Sequence, residues 1–270
     1  MCIIMILKQS FSNDSIYCST FAQQKSIGLI NKVFFEEIKN MTYQEVWDYQ
    51  SSTQAALVNH KRYYSGHERI LETNSVHRLI FCEHSPVYTL GKSGSEDHLL
   101  LNKSQLQDQK IEYFKINRGG DITYHGPGQI TGYPILDLAD FKEDVRWYID
   151  SLEQVIIDTI AHYGILGTRI NGYTGVWLKS TNSLPNRKIC ALGVHMSRWV
   201  TLHGFAFNVN TDLSYFEHII PCGIVDDDKA VTSLQSELGM TLEMPFIKSL
   251  MKSNFEKIFN VEIYNNEPIK

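Results

Sequence analysis

The chain holds 270 residues, of which 43% are hydrophobic and 20% charged. At ~100–200 residues per domain this is one large domain or two small ones, with a globular rather than a disordered composition and no apolar run near the ~20 residues of a membrane helix. Lys and Arg total 25 against 30 Asp and Glu, a net charge of −5. That excludes bulk nucleic-acid binding through positive charge and makes any basic docking patch a local one.

The five cysteines, Cys2, Cys18, Cys82, Cys190 and Cys222, are odd in number, scattered, and form no C-x-x-C pair. Neither a zinc site nor a disulfide framework is expected. The apolar opening at residues 1–7 lacks the cationic flank of a signal peptide, so the chain reads as cytoplasmic with reduced thiols.

Residues 1–32 show no sustained period and read as a poorly ordered extension, with one domain over 33–270. Val33, Phe34 and Phe35 predict a strand. Thr42-x-x-Glu45 is a capping box, and Tyr43, Val46, Trp47, Gln50 and Leu57 behind it make a helical stripe. The apolar run 79–82 predicts a buried strand, and 111–116 another. A glycine-rich stretch from 118 to 133 then breaks the pattern. Val145, Ile149, Leu152, Ile156, Ile160 and Tyr163 predict a strong helix, with Gly164 at its C′ position. Strands are predicted at 175–178, 189–196 and 200–208, with a turn at 181–187. Thr232-x-x-Gln235 is expected to cap a short helix ending at Gly239. Pro245 opens a last helix with Ile247, Leu250, Met251, Phe255 and Ile258 inward. The expectation is a single α/β domain with mixed strand directions.

Three segments can carry chemistry. Arg118-Gly119-Gly120-Asp121-Ile122-Thr123-Tyr124-His125-Gly126-Pro127-Gly128-Gln129 packs four glycines and a proline into twelve residues. It is either a loop that wraps a ligand with its own amides or a tight strand–turn–strand connection. It matches neither G-x-x-x-x-G-K-[ST] nor G-x-G-x-x-G, so phosphate cradling is not supported. Pro221-Cys222-Gly223 places a thiol in a turn, where it can face a cleft or pack as an ordinary buried cysteine. Cys82 and Cys190 lie in apolar runs and read as core. Lys188 stands at the mouth of a strand. It is either a solvated end or, in a desolvated site, a base for a nearby thiol. A Cys–His pair using His125 or His203 stands beside the Cys–Lys pair, and no histidine has metal-ligand spacing.

Taken in order, the string from Arg118 to Gln129, then Lys188-Ile189 to Gly193, His203-Gly204-Phe205-Ala206 with Asn208, and Pro221-Cys222-Gly223-Ile224 resemble the lipoyl (octanoyl) transferases. The resemblance runs from about residue 33 to 239 and includes 83–91. It implies the fold of biotin and lipoate protein ligases, a mixed β-sheet packed with helices. It also implies that Cys222 is the acyl-carrying nucleophile and Lys188 its partner, with no cofactor and no metal. The substrate-binding residues it implies are Arg118, Gly119, Gly120, Asp121, Ile122, Thr123, Tyr124 and His125, then Ala191, Leu192 and Gly193, and finally Gly204, Phe205 and Ala206. The implied donor is octanoyl-acyl carrier protein. The implied acceptors are lipoyl domains of 2-oxoacid dehydrogenase E2 subunits and the glycine cleavage H protein, with no nucleic acid and no membrane involved. Backbone amides near Cys222 and in the Gly119-Gly120 loop are the candidate oxyanion donors. Cys190 and Phe207 depart from the usual smaller or aliphatic residues, which could alter packing near the acyl chain, and Asp226-Asp227-Asp228 looks like a lengthened turn.

Overall fold

The computed structural model describes residues 30–63, 77–220 and 229–265. Strand β1 (Asn31–Ile38) leads into helix α1 (Tyr43–Tyr63). The capping box forms as predicted: Thr42 N donates to Glu45 Oε2 at 2.8 Å and Glu45 N to Thr42 Oγ1 at 3.3 Å. Strands β2 (His77–Cys82) and β3 (Val87–Leu90) follow, then helix α2 (Lys103–Asp108) and strands β4 (Glu112–Lys115), β5 (Ile122–His125) and β6 (Gln129–Ile135). Helix α3 (Val145–Ala161) precedes β7 (Gly167–Ile170), β8 (Tyr173–Leu178), β9 (Asn186–Ser197), β10 (Val200–Asn208) and β11 (Lys229–Val231). Helices α4 (Leu234–Leu238) and α5 (Met244–Phe259) and strand β12 (Val261–Tyr264) complete the order.

Nine of the described strands form one mixed sheet, β12-β1-β2-β6-β10-β9-β8-β7, with β11 on β9; β4-β3-β5 form a second, small sheet. Most neighbours in the large sheet run antiparallel; β1 is parallel to both β12 and β2, and β11 is parallel to β9. Side chains alternate faces along a strand. On β2, Leu79 and Phe81 enter the core beneath α3 and α5, while Ile80 and Cys82 enter a second core against α1. The inward face of α3 is Tyr148, Leu152, Val155, Ile156 and Ile160. Val145, expected on that face, is in the first turn and exposed, because the buried stripe begins one turn later.

Two further expectations are corrected. The glycine-rich stretch is not irregular: it holds β5 and β6, each in a different sheet. The turn between them is the tight strand–turn–strand connection, and it joins the two sheets. Ser233, not Thr232, caps α4, its side chain accepting from Ser236 N. Thr232 instead turns its hydroxyl to Glu237 Oε1 at 2.6 Å. Among the described residues no helix is long and apolar enough to cross a membrane.

Candidate active site

A cavity of about 430 Å³ lies where the loop before β5 crosses β9 and β10, within the ~300–1,000 Å³ range of small-molecule sites. The crossing explains two glycines. A Cβ on Gly193 would stand 2.8 Å from Gly119 O and 3.0 Å from Arg118 Cδ, so only glycine lets the two backbones meet. Gly120 turns the loop back at φ +84°, a left-handed conformation that favours glycine. Gly119 N donates to Val194 O at 2.9 Å, which commits that amide to the crossing and removes it as an oxyanion donor.

Arg118 is 7% exposed and acts from inside this loop. Its guanidinium donates to Thr89 O (2.5 Å), Thr89 Oγ1 (3.0 Å) and Gly119 O (3.0 Å), tying the loop to β3 of the small sheet. Asp121 accepts from Ile122 N at 2.7 Å and from His98 Nδ1 at 2.6 Å. From β9 come Lys188, Ala191, Leu192 and Gly193; from β10 come Gly204, Phe205 and Ala206. Of the expected binding residues, all line the cavity except Tyr124. Its ring is buried on the other side of β5, stacked on Tyr215 at 4.5 Å.

Lys188 reaches the same cavity, its Nζ 4.7 Å from the centre of the Trp177 ring. Trp177 is 1% exposed and fixed by its indole N–H on Tyr173 O at 3.0 Å. Cys222 lies outside the described residues, as do Cys2, Cys18 and Asp226 to Asp228. The chain enters the undescribed segment after Ile220, whose N–H bonds His98 O at 2.9 Å, and leaves it at β11, where Val231 pairs with Lys188.

The other titratable groups are tied down. Thr89 Oγ1 donates to His125 Nε2 at 3.3 Å and His125 Nδ1 donates to Gln129 Oε1 at 2.9 Å, so both ring nitrogens are engaged. Burial, helped by the neighbouring His84, lowers the pKa of His125 to about 3. His203 sits at φ +60° within β10, a conformation that costs a non-glycine residue ~1–3 kcal/mol. The twist brings its Nε2 to 2.6 Å from Asn117 Oδ1. Burial first, then Arg118, lowers its pKa to about 3. His84, bonded to the Tyr133 hydroxyl at 2.6 Å, is lowered by burial to about 4. All three are neutral at pH 7.

Cys82 and Cys190 are buried, as predicted; burial lifts the Cys82 thiol to about 12 and pushes that of Cys190 well above its ordinary value. Cys190 and Phe207 are cross-strand partners in the core with α3 and α5, and neither lines the cavity. The sequence reading missed Tyr43, Gln129 and Tyr133 as cavity residues. Tyr43 fits the helix stripe of α1, which hides its second role, and Gln129, which closes the glycine-rich string, is the one available signal.

The chain is similar to known proteins both in sequence and in fold. Residues 56–256 match the lipoyl protein ligase A/B catalytic domain. The chain is 48% identical to an octanoyltransferase of Cytophaga hutchinsonii over 86% of its own length and 95% of the relative's. It is also 48% identical to one of Flavobacterium johnsoniae over 86% and 98%. In fold it is similar to the bipartite lipoate protein ligase of Thermoplasma acidophilum, with a TM-score of 0.63 and 11% identity over 90% of this chain and 89% of that one. A lipoate-protein ligase A bound with ATP gives 0.59 at 12% identity, over 90% of each. The chain belongs to the octanoyltransferase family and transfers octanoyl groups in protein lipoylation.

Proposed function

We propose that the octanoyl group arrives as a thioester on the arm of acyl carrier protein and passes through a thioester on Cys222 to a lysine of a lipoyl domain. The acceptors in this reading are the lipoyl domains of 2-oxoacid dehydrogenase E2 subunits and the glycine cleavage H protein, in the cytoplasm. Arg118 to His125, Tyr124 apart, with 191–193 and 204–206, form the wall against which the acyl chain lies. Tyr124 backs that wall.

The observation that carries this reading is that Lys188 is in the cavity while the alternative bases are tied down, His125 through both ring nitrogens and His203 through Nε2 on Asn117. Lys188 Nζ takes the proton of the Cys222 thiol, and Sγ attacks the donor carbonyl. The C–S bond to the carrier arm breaks, and the arm leaves as a thiol with the proton returned from Nζ. In the second half the acceptor's neutral amine attacks the new thioester, Lys188 takes its proton and passes it to Sγ, and the C–S bond breaks so that Cys222 leaves as the thiol. The thioester exchange is nearly isoenergetic and amide formation runs downhill, so no nucleotide is needed. An unperturbed lysine at ~10.4 is a poor base at neutral pH. Lys188 is half-buried with its Nζ over the face of Trp177, so in this reading the amine meets the thiol beside the acyl chain rather than in open water. The bound acyl chain, by excluding water from the cavity, also protects the thioester.

Intact-mass measurement tests the reading. Protein mixed with octanoyl-acyl carrier protein alone is expected to gain one octanoyl mass, removable by hydroxylamine, and to lose it to an added apo lipoyl domain. Labelling only with ATP and free octanoate would replace this reading with a ligase mechanism.

A further inference from the structure

We propose that Asn208 is a positioning residue that fixes Lys188 relative to the glycine-rich loop. Asn208 ends β10, is 4% exposed, and uses both halves of its amide. Its Oδ1 accepts from Gln129 Nε2 at 2.9 Å, and its Nδ2 donates to Thr232 O at 3.0 Å. The connection continues in both directions. On one side Gln129 Oε1 accepts from His125 Nδ1, and His125 is bonded in turn to Thr89, which holds the Arg118 guanidinium. On the other side Thr232 N donates to Lys188 O at 2.9 Å.

Gln129 and Thr232 are 1% and 2% exposed, so the whole connection is buried. There each hydrogen bond is stronger than in water and each loss leaves an unpaired group. Asn208 and Gln129 are already cross-strand partners in the β6–β10 ladder, so that arm adds little to holding those two strands together. The Thr232 arm is different. Among the described residues β11 spans Lys229–Val231 and pairs with β9 alone, and Thr232 follows it directly. A three-residue parallel ladder is weak by itself. The Asn208 amide therefore ties the residue that follows β11 to β10 and β6, alongside the Thr232 hydroxyl bonded to Glu237. Asn208 does not touch the reacting atoms in this account; it sets where Lys188 stands.

The inference rests on reading Lys188 as the base, so Lys188→Ala is measured alongside. Asn208→Asp keeps the size and the acceptor for Gln129, but sets a carboxylate oxygen against Thr232 O and breaks only the arm toward Lys188. Asn208→Ala, combined singly and doubly with Gln129→Leu, covers the case in which the buried charge prevents folding. With octanoyl-acyl carrier protein as donor, kcat per folded enzyme is expected to fall about 10- to 100-fold, with KM within about twofold and a displaced pH profile of kcat. The losses of the Gln129→Leu and Asn208→Ala pair should overlap rather than multiply. Wild-type kcat in the Asn208 variants, a loss that tracks only the folded fraction, or strictly multiplicative losses overturn the inference. If Lys188→Ala is inactive while the Asn208 variants match wild type, this inference alone fails. If Lys188→Ala is itself near normal, the base assignment fails.

Discussion

On one face of the large sheet, α3 and α5 bury Leu152, Ile156, Met251 and Phe255 against Leu79, Phe81 and Phe207. On the other, beside the apolar core under α1, the sheet approaches the small sheet through Arg118, Thr89, His125, Gln129 and Asn208, all buried and linked in a hydrogen-bonded chain. The first interface is non-directional, and its strength follows the apolar area removed from water. The second depends on direction: each donor has an assigned acceptor, and small displacements break it. A fold needs the first. A site that must hold a base and a thioester in register needs the second. Substitutions on the two faces should therefore be lost in different currencies, stability on one and rate on the other.

The largest effect is expected at the nucleophile. Cys222→Ala should abolish both acyl-enzyme and transfer in an intact-mass assay, while Cys190→Ala, lying on the packed face, should keep the acyl-enzyme and lose only stability. Retained labelling in Cys222→Ala would move the nucleophile elsewhere.

On the packed face, Leu152→Ala should cost about 2–5 kcal/mol of unfolding free energy, with kcat per folded molecule unchanged. Urea unfolding together with active-site titration reads both, and a selective loss of kcat would blur the division between the faces.

Acid should damage the polar face first. His84, His125 and His203 have folded pKa values lowered by burial to about 4, 3 and 3, whereas in the unfolded chain they titrate near ~6.5. Between these values the unfolded chain binds the protons and the native one does not. Stability is therefore full above ~6.5 and declines as pH falls toward 4, by about 4 kcal/mol per pH unit when all three contribute. An unfolding free energy that stays flat from pH 6.5 to 5 would show that the histidines are not buried neutral in solution.

The packed face was largely legible in the sequence. The periodicity of residues 145–163 gave α3, the capping box gave the start of α1, and the apolar run 79–82 gave β2, because burial of one stripe leaves a repeating mark. Short strands with little periodicity, β3, β7 and β12, left none. Because glycine suits loops, the sequence leaves a ligand-wrapping loop and a tight strand–turn–strand connection equally open in the glycine-rich stretch; in the fold Gly132 lies in β6, where the Phe205 ring leaves no room for a Cβ. The polar face was legible only as a motif. Thr89 and Asn208 are single polar residues within strands, and nothing in a linear sequence says that Arg118, His125 and Thr232 are their partners.

Whether Lys188 is the base is read from the pH dependence of acyl-enzyme formation in Lys188→Ala. At pH 7 acylation is expected to fall by ~10²–10⁴-fold, in a protein that melts as wild type does. Raising the pH past the ordinary thiol value of ~8.5 should recover part of the rate, as hydroxide forms the thiolate without the lysine. Near-normal acylation of Lys188→Ala at neutral pH would contradict the account and return the role of base to His125 or His203.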